Sequence, residues 1–154
     1  MASVDTGRLV FMANSEIGVI VIRPIGYLSG PEFIERLFKA YETVSEPWKY
    51  NRLTDFRRFE GHLSDDDLLS IRDRWVTLAD GHPYSAHVAV ISLDIRATIR
   101  LPAISPFFPN ETICLFTSFH EGMGWLQADD RAAYLKNLQP PEGPSRRDDG
   151  IVIS

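Results

Sequence analysis

The chain has little of several features that would define a narrow class of protein. Cys114 is the single cysteine among 154 residues, so no disulfide can form within the chain. No apolar run approaches the roughly 20 residues that a membrane-spanning helix needs, and we expect no membrane insertion. The opening residues, MASVDTGRLVF, lack the basic segment and apolar stretch of a signal peptide. These absences predict a cytoplasmic protein.

Positive charge is also in short supply. The chain carries 16 Lys and Arg against 21 Asp and Glu, a formal net charge of −5. Proteins that bind nucleic acids through the phosphate backbone need a clustered excess of Lys and Arg. The composition therefore predicts no nucleic-acid partner.

The sequence motifs that usually carry chemistry are missing. There is no glycine-rich phosphate cradle of the GxGxxG or GxxxxGK[ST] type, no GxSxG nucleophile turn, and no HExxH or CxxC pair. None of the four histidines has metal-ligand spacing to another histidine or to the cysteine: His62, His82, His87 and His120. We therefore expect no metal and no cofactor. The missing motifs argue against an enzyme.

What is present is a regular alternation of strand and helix patterns. β-Rich runs and apolar periodicities predict strands at 8–13, 17–23, 50–55, 87–91 and 112–116, and helices at 31–46, 64–80, 94–109, 118–127 and 129–137. Pro24 should end or bend the second strand, and Pro102 should interrupt the third helix. The order ββαβαβαβα predicts a single α/β domain with a mixed, mostly parallel sheet that begins with a β-hairpin. Residues 1–136 should form this domain and 137–154 a flexible C-terminal tail.

The junction RLTDFRRFEGHLSDDDLLSIRDRW at 52–75 is the strongest candidate site. A strand ends at Asp55, and Ser64 then has the position of a helix N-cap. Sites in open parallel sheets lie beyond the carboxyl ends of the strands, so we expect an interaction or phosphorylation surface here. Its candidate residues are Asp55, Phe56, Arg57, Arg58, Phe59, His62 and Ser64. Ser64 could serve only as the cap, or as a functional serine.

The same junction carries a family resemblance. Asp55 with the basic and apolar loop after it, the Ser-capped helix, the strand HVAVISLD and the closing TICLFTSFHEGMGWL together resemble the SpoIIAA-like branch of the STAS domains. The similarity covers about residues 8–128. STAS domains are the fold of bacterial anti-sigma-factor antagonists and of the cytoplasmic tails of sulfate transporters. The resemblance implies a bacterial regulatory module that is not an enzyme and that has a protein partner.

The resemblance also implies a role for one serine. In the antagonists, a serine at the start of the helix after the third strand is phosphorylated by a partner kinase, and the added charge blocks binding. Ser64 is the residue at the comparable helix start. The local sequence is GHLSDDD, in place of the Asp-Ser-Ser-Gly type of motif found in those proteins.

Two other functions remain open. A small apolar or lipid-like ligand could occupy a pocket under residues 94–109, lined by Ile95, Ile99, Ile104 and Phe107. An enzyme could use Asp55 and His62 of the loop as an acid–base pair. A homodimer could form through a sheet edge or through the C-terminal IVIS segment.

Overall fold

The computed structural model describes residues 6–138. Five strands and five α-helices lie within this range: β1 (Arg8–Asn14), β2 (Val19–Ile25), α1 (Gly30–Tyr41), β3 (Asn51–Asp55), α2 (Asp65–Ala79), β4 (Ala86–Ile91), α3 (Ala97–Ile104), β5 (Glu111–Phe116), α4 (Phe119–Gln127) and α5 (Arg131–Leu138). Two short 3₁₀ turns, Pro47–Lys49 and Ser105–Phe107, complete the regular structure of this range.

The strands form one mixed sheet with the spatial order β1-β2-β3-β4-β5. β1 pairs antiparallel with β2, and every later pair is parallel. The predicted α/β class, the opening hairpin and the strand–helix order are therefore confirmed. Across the described range no helix has both the length and the apolar character needed to cross a bilayer.

Each face of the sheet packs against its own helices. Ile20 and Ile22 of β2 point into a core with α1 and α2, which contribute residues such as Phe33 and Trp75. Leu53 and its neighbours on the other face pack against α4, with Trp125 at the centre. Because successive side chains of a strand alternate between faces, a strand covered by helices on both sides is mostly apolar on both faces.

Pro24 does not end the second strand. β2 continues to Ile25, and Pro24 is buried and pairs with Leu9 of β1. The register between β2 and β3 stops at Ile22 and Thr54, so Pro24 lies beyond the point where a third strand is hydrogen-bonded. A proline is tolerated where its missing N–H is not needed by a neighbouring strand.

Pro102 also fails to interrupt its helix. α3 runs through Leu101 and Pro102 to Ile104 and then tightens into the 3₁₀ turn. Pro102 is exposed, and the helix ends two residues later, so few hydrogen bonds depend on that position. The predicted helical segment 94–109 is thus shortened at its ends and is not divided in the middle.

The predicted domain boundary falls within a helix. α5 continues to Leu138, two residues past the expected end of the domain at 136. The remainder of the expected tail, and the IVIS segment considered for dimerisation, lie outside the described residues.

A buried ion pair connects the two halves of the sheet. Arg52 of β3 and Glu111 of β5 approach to 2.7 Å between Nη2 and Oε2, with side chains only 9% and 6% exposed. The geometry is a close charge–charge contact and not an aligned hydrogen bond. The Arg52 guanidinium also lies 4.3 Å from the centre of the Trp75 ring, a cation–π contact.

Burial has opposite effects on the charges in this network. Desolvation alone lowers the pKa of Arg52, but the negative charge of Glu111 outweighs it and the pKa is raised. Burial raises the pKa of the neighbouring Tyr41 phenol. Arg52 therefore stays charged and Tyr41 neutral in the folded protein.

Removing one partner of this pair should destabilise the fold strongly. Glu111→Gln leaves the Arg52 charge buried without its counter-ion, and we expect the free energy of unfolding to fall by roughly 3–5 kcal/mol. Equilibrium unfolding in urea measures the change. The matched control is Glu35→Gln, which breaks the surface pair with Arg74, where the Glu35 side chain is 70% exposed. A surface pair contributes about 1 kcal/mol at most, so equal losses in both variants would contradict a special role for the buried pair.

Candidate functional site

The candidate site lies where β3 and β4 end. A groove of about 430 Å³ runs between the loop 56–63, the first turns of α2 and the segment 92–104. We call it the α2–α3 groove. The sequence-based expectation placed the 55–64 loop and the turn after β4 at one edge of the sheet, and the structure brings these two segments together.

The groove has an apolar wall and a basic rim. Its apolar side chains include Phe56, Phe59, Leu63, Leu68, Val90, Leu101 and Ile104. Its charged side chains are three arginines and one aspartate: Arg57, Arg96, Arg100 and Asp94. Each of these arginines is paired with a carboxylate: Arg57 with Asp55, Arg96 with Asp94 and Arg100 with Asp65.

Phe56 and Phe59 belong to an aromatic cluster. Their ring centres are 5.8 Å apart, and both rings contact Phe33 of α1, at 6.5 and 5.9 Å. Each ring is half-buried, so one part closes the core under α1 and the other part lines the groove. The two phenylalanines are consequently rigid wall residues, held by packing within the domain.

The start of α2 is fixed by a capping box. Ser64 Oγ accepts a hydrogen bond from the Asp67 N–H at 3.0 Å, and the Asp67 carboxylate accepts one from the Ser64 N–H at 2.9 Å. This is the cap that the sequence predicts. Arg100 of α3 donates to the Leu63 carbonyl and to Asp65, which ties α3 to the same helix start. Phosphorylation of Ser64 stays a prediction.

Asp55 lies on the opposite face of the sheet from the groove. Its carboxylate is 7% exposed and accepts two side-chain hydrogen bonds from Arg57, at 3.0 and 2.8 Å, and one from the Arg57 N–H. Burial alone raises the pKa of the Asp55 carboxyl, but the hydrogen bonds and charge of Arg57, with Arg23 nearby, hold it below its ordinary value. A carboxylate so stabilised in its charged form is a poor general base.

His62 and Arg58 are exposed members of the predicted surface, as is Arg57. His62 lines the groove, and Arg58 extends from the loop on the side of Asp55. His62 and Asp55 thus serve different surfaces, and the geometry does not support the acid–base pair. Within residues 6–138 no three His, Cys, Asp or Glu side chains come together as metal ligands.

The predicted pocket lining needs correction. Ile104 lines the α2–α3 groove, but Ile95 and Ile99 are 80% and 78% exposed and face solvent. Phe107 lies in the 3₁₀ turn and is not part of the groove lining. Ile95 lies before α3, which begins at Ala97, and Ile99 and Ile104 are five residues apart, so they lie about 140° apart around the helix. Binding of a ligand in the groove stays a prediction.

Sequence reasoning missed two contributors to this edge of the sheet. Arg23 lies beside Asp55, since the β2–β3 register pairs Ile22 with Thr54 one residue earlier. The sequence VIVIR could have indicated this position. Val19, Val21 and Arg23 lie on the same face of the strand, and the third of them is charged. Leu101 lines the groove from α3, one residue before Pro102.

Comparison with known proteins agrees with this architecture. An uncharacterised protein of the DUF3478 family with a SpoIIAA-like fold, from Shewanella loihica PV-4, superimposes with a TM-score of 0.56. The match covers 82% of this chain and 98% of that one, at 16% sequence identity. The chain has a SpoIIAA-like fold. The predicted STAS-like, SpoIIAA-like architecture is therefore confirmed.

The likeness to this structure shows the fold and does not show an activity. No protein-family profile matches the sequence, and no curated protein is similar to it. The function of this SpoIIAA-like domain must therefore be argued from its own groove, charges and exposed surfaces.

The Asp55 cluster should make folding stability depend on pH. Its folded-state pKa is lowered, so its contribution to stability is present above the ordinary aspartate pKa of about 4 and is lost as the pH falls further. Asp55→Asn should lower the free energy of unfolding at neutral pH by roughly 1–3 kcal/mol and flatten its decline in acid. Urea unfolding over a series of pH values measures both.

The control is Asp129→Asn, at an exposed position without a side-chain contact in the described part of the chain. It should keep the wild-type pH dependence. If Asp55→Asn keeps that dependence as well, the carboxylate is not stabilised in its charged form.

Proposed function

We propose that this protein is a non-enzymatic regulatory module that binds a protein partner in the α2–α3 groove. The observation that carries the proposal is a group of large apolar side chains exposed beside the groove. Leu93, Ile95 and Ile99 are 68%, 80% and 78% exposed. Side chains of this kind, clustered at the edge of a concave apolar surface, are typical of interaction sites.

The rigid walls of the α2–α3 groove favour binding of a protein partner. Phe56 and Phe59 are fixed by Phe33, and Arg100 holds α3 against the start of α2. A preformed groove loses little entropy when a partner binds, and buried aromatic or aliphatic anchors supply most of the affinity. The partner segment should therefore be apolar on the side that enters the groove.

The charge of the groove indicates the rest of the partner's chemistry. The three arginines of the lining are each paired with a carboxylate, but the Arg96 side chain is 86% exposed and can also contact a bound segment. Complementary charge raises association rates and selects among partners. We infer that the bound segment carries carboxylates next to its apolar residues.

Ser64 offers a means of regulation. Its neighbour Leu63 lines the groove, and Asp65, Asp66 and Asp67 follow it on α2. A phosphate there would add about −1.5 to −2 charges at neutral pH, which would repel an acidic partner. The dependence on a partner, and a cytoplasmic setting in a bacterial cell, are parts of this proposal.

Site-specific photo-crosslinking in cells tests the partner. A photoreactive residue placed at Ile95 or Ile99 should yield a discrete crosslinked product with one protein. The matched control is Met12 on β1, which is 60% exposed and lies on the edge strand away from the groove. A charge on the groove wall, Ile104→Asp, should reduce the product at Ile99 by about tenfold, as expected for the loss of an apolar anchor.

Two outcomes would contradict the proposal. Equal products at Met12 and Ile99 would mean non-specific contact. Unchanged crosslinking in a folded Ile104→Asp protein would mean that the partner does not enter the groove. Thermal unfolding of each variant checks the fold.

A second candidate is a small apolar anion in the same groove. The volume of about 430 Å³ is within the range of small-molecule sites, and the apolar wall with an arginine rim suits an acyl chain that ends in a carboxylate. Such a ligand would be enclosed by the groove and would not reach Ile95 or Ile99, which face solvent.

Fluorescence titration separates the two candidates. The apolar anion 8-anilinonaphthalene-1-sulfonate should bind with one-site saturation if the groove accepts small ligands, and Ile104→Asp should weaken it about tenfold. Ile99→Ser should leave this binding unchanged, because that side chain is outside the groove, yet it should weaken capture of a protein partner. Absence of saturable binding would exclude the small-ligand candidate.

A further inference from the structure

A second concave surface lies on the other side of Arg57. This arginine cleft, of about 300 Å³, is lined by Arg23, Pro24, Ile25, Asp55, Arg57 and Arg58. It is formed by the carboxyl ends of β2 and β3 on the face that carries α4. It is separate from the α2–α3 groove, and the two share Arg57 as a common wall.

The charges of the cleft are out of balance. Three guanidinium groups line it, and Asp55 is the single acid among its lining residues. Arg57 donates hydrogen bonds to both oxygens of that carboxylate. Three positive charges and one negative charge give the lining a formal surplus of two, with Arg23 and Arg57 both beside Asp55, in a protein whose net charge is −5.

Arg23 is held in place but poorly satisfied. Its guanidinium lies 4.4 Å from the centre of the Phe119 ring, which fixes its plane against α4. Its Nε is buried and 3.8 Å from Asp55 Oδ2, too long for a hydrogen bond, and no side chain or carbonyl in residues 6–138 accepts from it. The Arg23 side chain is 39% exposed, and its terminal nitrogens are not among the buried, unpartnered atoms of the described residues.

Arg58 is the second arginine of the cleft with unused donors. Its backbone carbonyl accepts from the Gly26 N–H, which fixes the chain at the mouth of the cleft. The side chain is exposed and pairs with no acid in the described range. Arg23 and Arg58 thus both line the cleft with donors that are available to a ligand. Asp55 orients Arg57 beside them.

We propose that the arginine cleft binds a phosphate monoester group. A phosphate monoester carries about −1.5 to −2 charges at neutral pH, which matches the surplus of two. Planar guanidinium groups bind tetrahedral oxyanions through paired, charge-assisted hydrogen bonds. A carboxylate would neutralise only half of the surplus, so the cleft favours the dianion.

Isothermal titration calorimetry with phenyl phosphate at constant ionic strength tests the proposal. We expect saturable binding to one site, and weaker binding of benzoate, which has a similar ring but a single charge. Arg23→Gln and Arg58→Gln should each weaken phenyl phosphate about tenfold, since each removes charge-assisted hydrogen bonds. Arg58→Lys should recover part of the loss, because it restores the charge without the planar group.

The matched control is Lys39→Gln, which removes one exposed positive charge from the last turn of α1. Its affinity for phenyl phosphate should stay within about twofold of the wild type, since salt screens a distant surface charge. Arg58→Gln keeps the proposal testable if Arg23→Gln unfolds, because the Arg58 side chain is exposed. Thermal unfolding monitors both variants.

Three results would overturn the proposal: no saturable binding, benzoate equal to phenyl phosphate, or equal losses in Lys39→Gln and Arg58→Gln. A phosphoserine peptide added to the same series distinguishes the sources of the group. Binding of the peptide more than tenfold tighter than phenyl phosphate would assign the group to a phosphorylated protein, and equal binding would assign it to a small molecule. Both results depend on the same arginines, and neither depends on the groove.

Discussion

The buried pair of Arg52 and Glu111 is the contact on which the rest of the domain depends. It joins β3 to β5 across β4, close to the amino ends of the parallel strands. Trp75 of α2 lies over the guanidinium, and Tyr41 of α1 contacts Trp75 with ring centres 5.0 Å apart. Two buried charges are tolerated only when each lies close to the other, so three strands and two helices are constrained at one point.

The opposite edge of the sheet is built differently. At the carboxyl ends of the strands, Asp55 is paired with Arg57, but Arg23 lacks an aligned acceptor and Arg58 has no side-chain partner in the described residues. The charges at the amino edge are buried and balanced, whereas at the carboxyl edge the buried Asp55 is surrounded by partly exposed arginines that outnumber it. A fold made rigid at one edge can hold poorly satisfied groups at the other, and such groups gain most from a ligand.

Elements that depend on contacts between residues close in sequence were predictable, and those that depend on contacts across the sheet were not. The capping serine and apolar stripe of α2 depend on residues three to four apart, so the sequence displays them directly. Whether a strand or helix continues through Pro24 and Pro102 depends on which neighbouring groups need a hydrogen bond from the proline position. For Pro24 this follows only from the sheet register. The same holds for Arg23, whose partner Asp55 is 32 positions away in the sequence.

Arg57 links the two concave surfaces of the carboxyl edge. It lines both the α2–α3 groove and the arginine cleft, and its three hydrogen bonds to Asp55 fix it between them. If both proposed occupants contact Arg57, any effect of one on the affinity for the other must be reciprocal, with the same factor in each direction. A domain of this size could thereby make capture of a partner depend on a phosphate group bound on its other face.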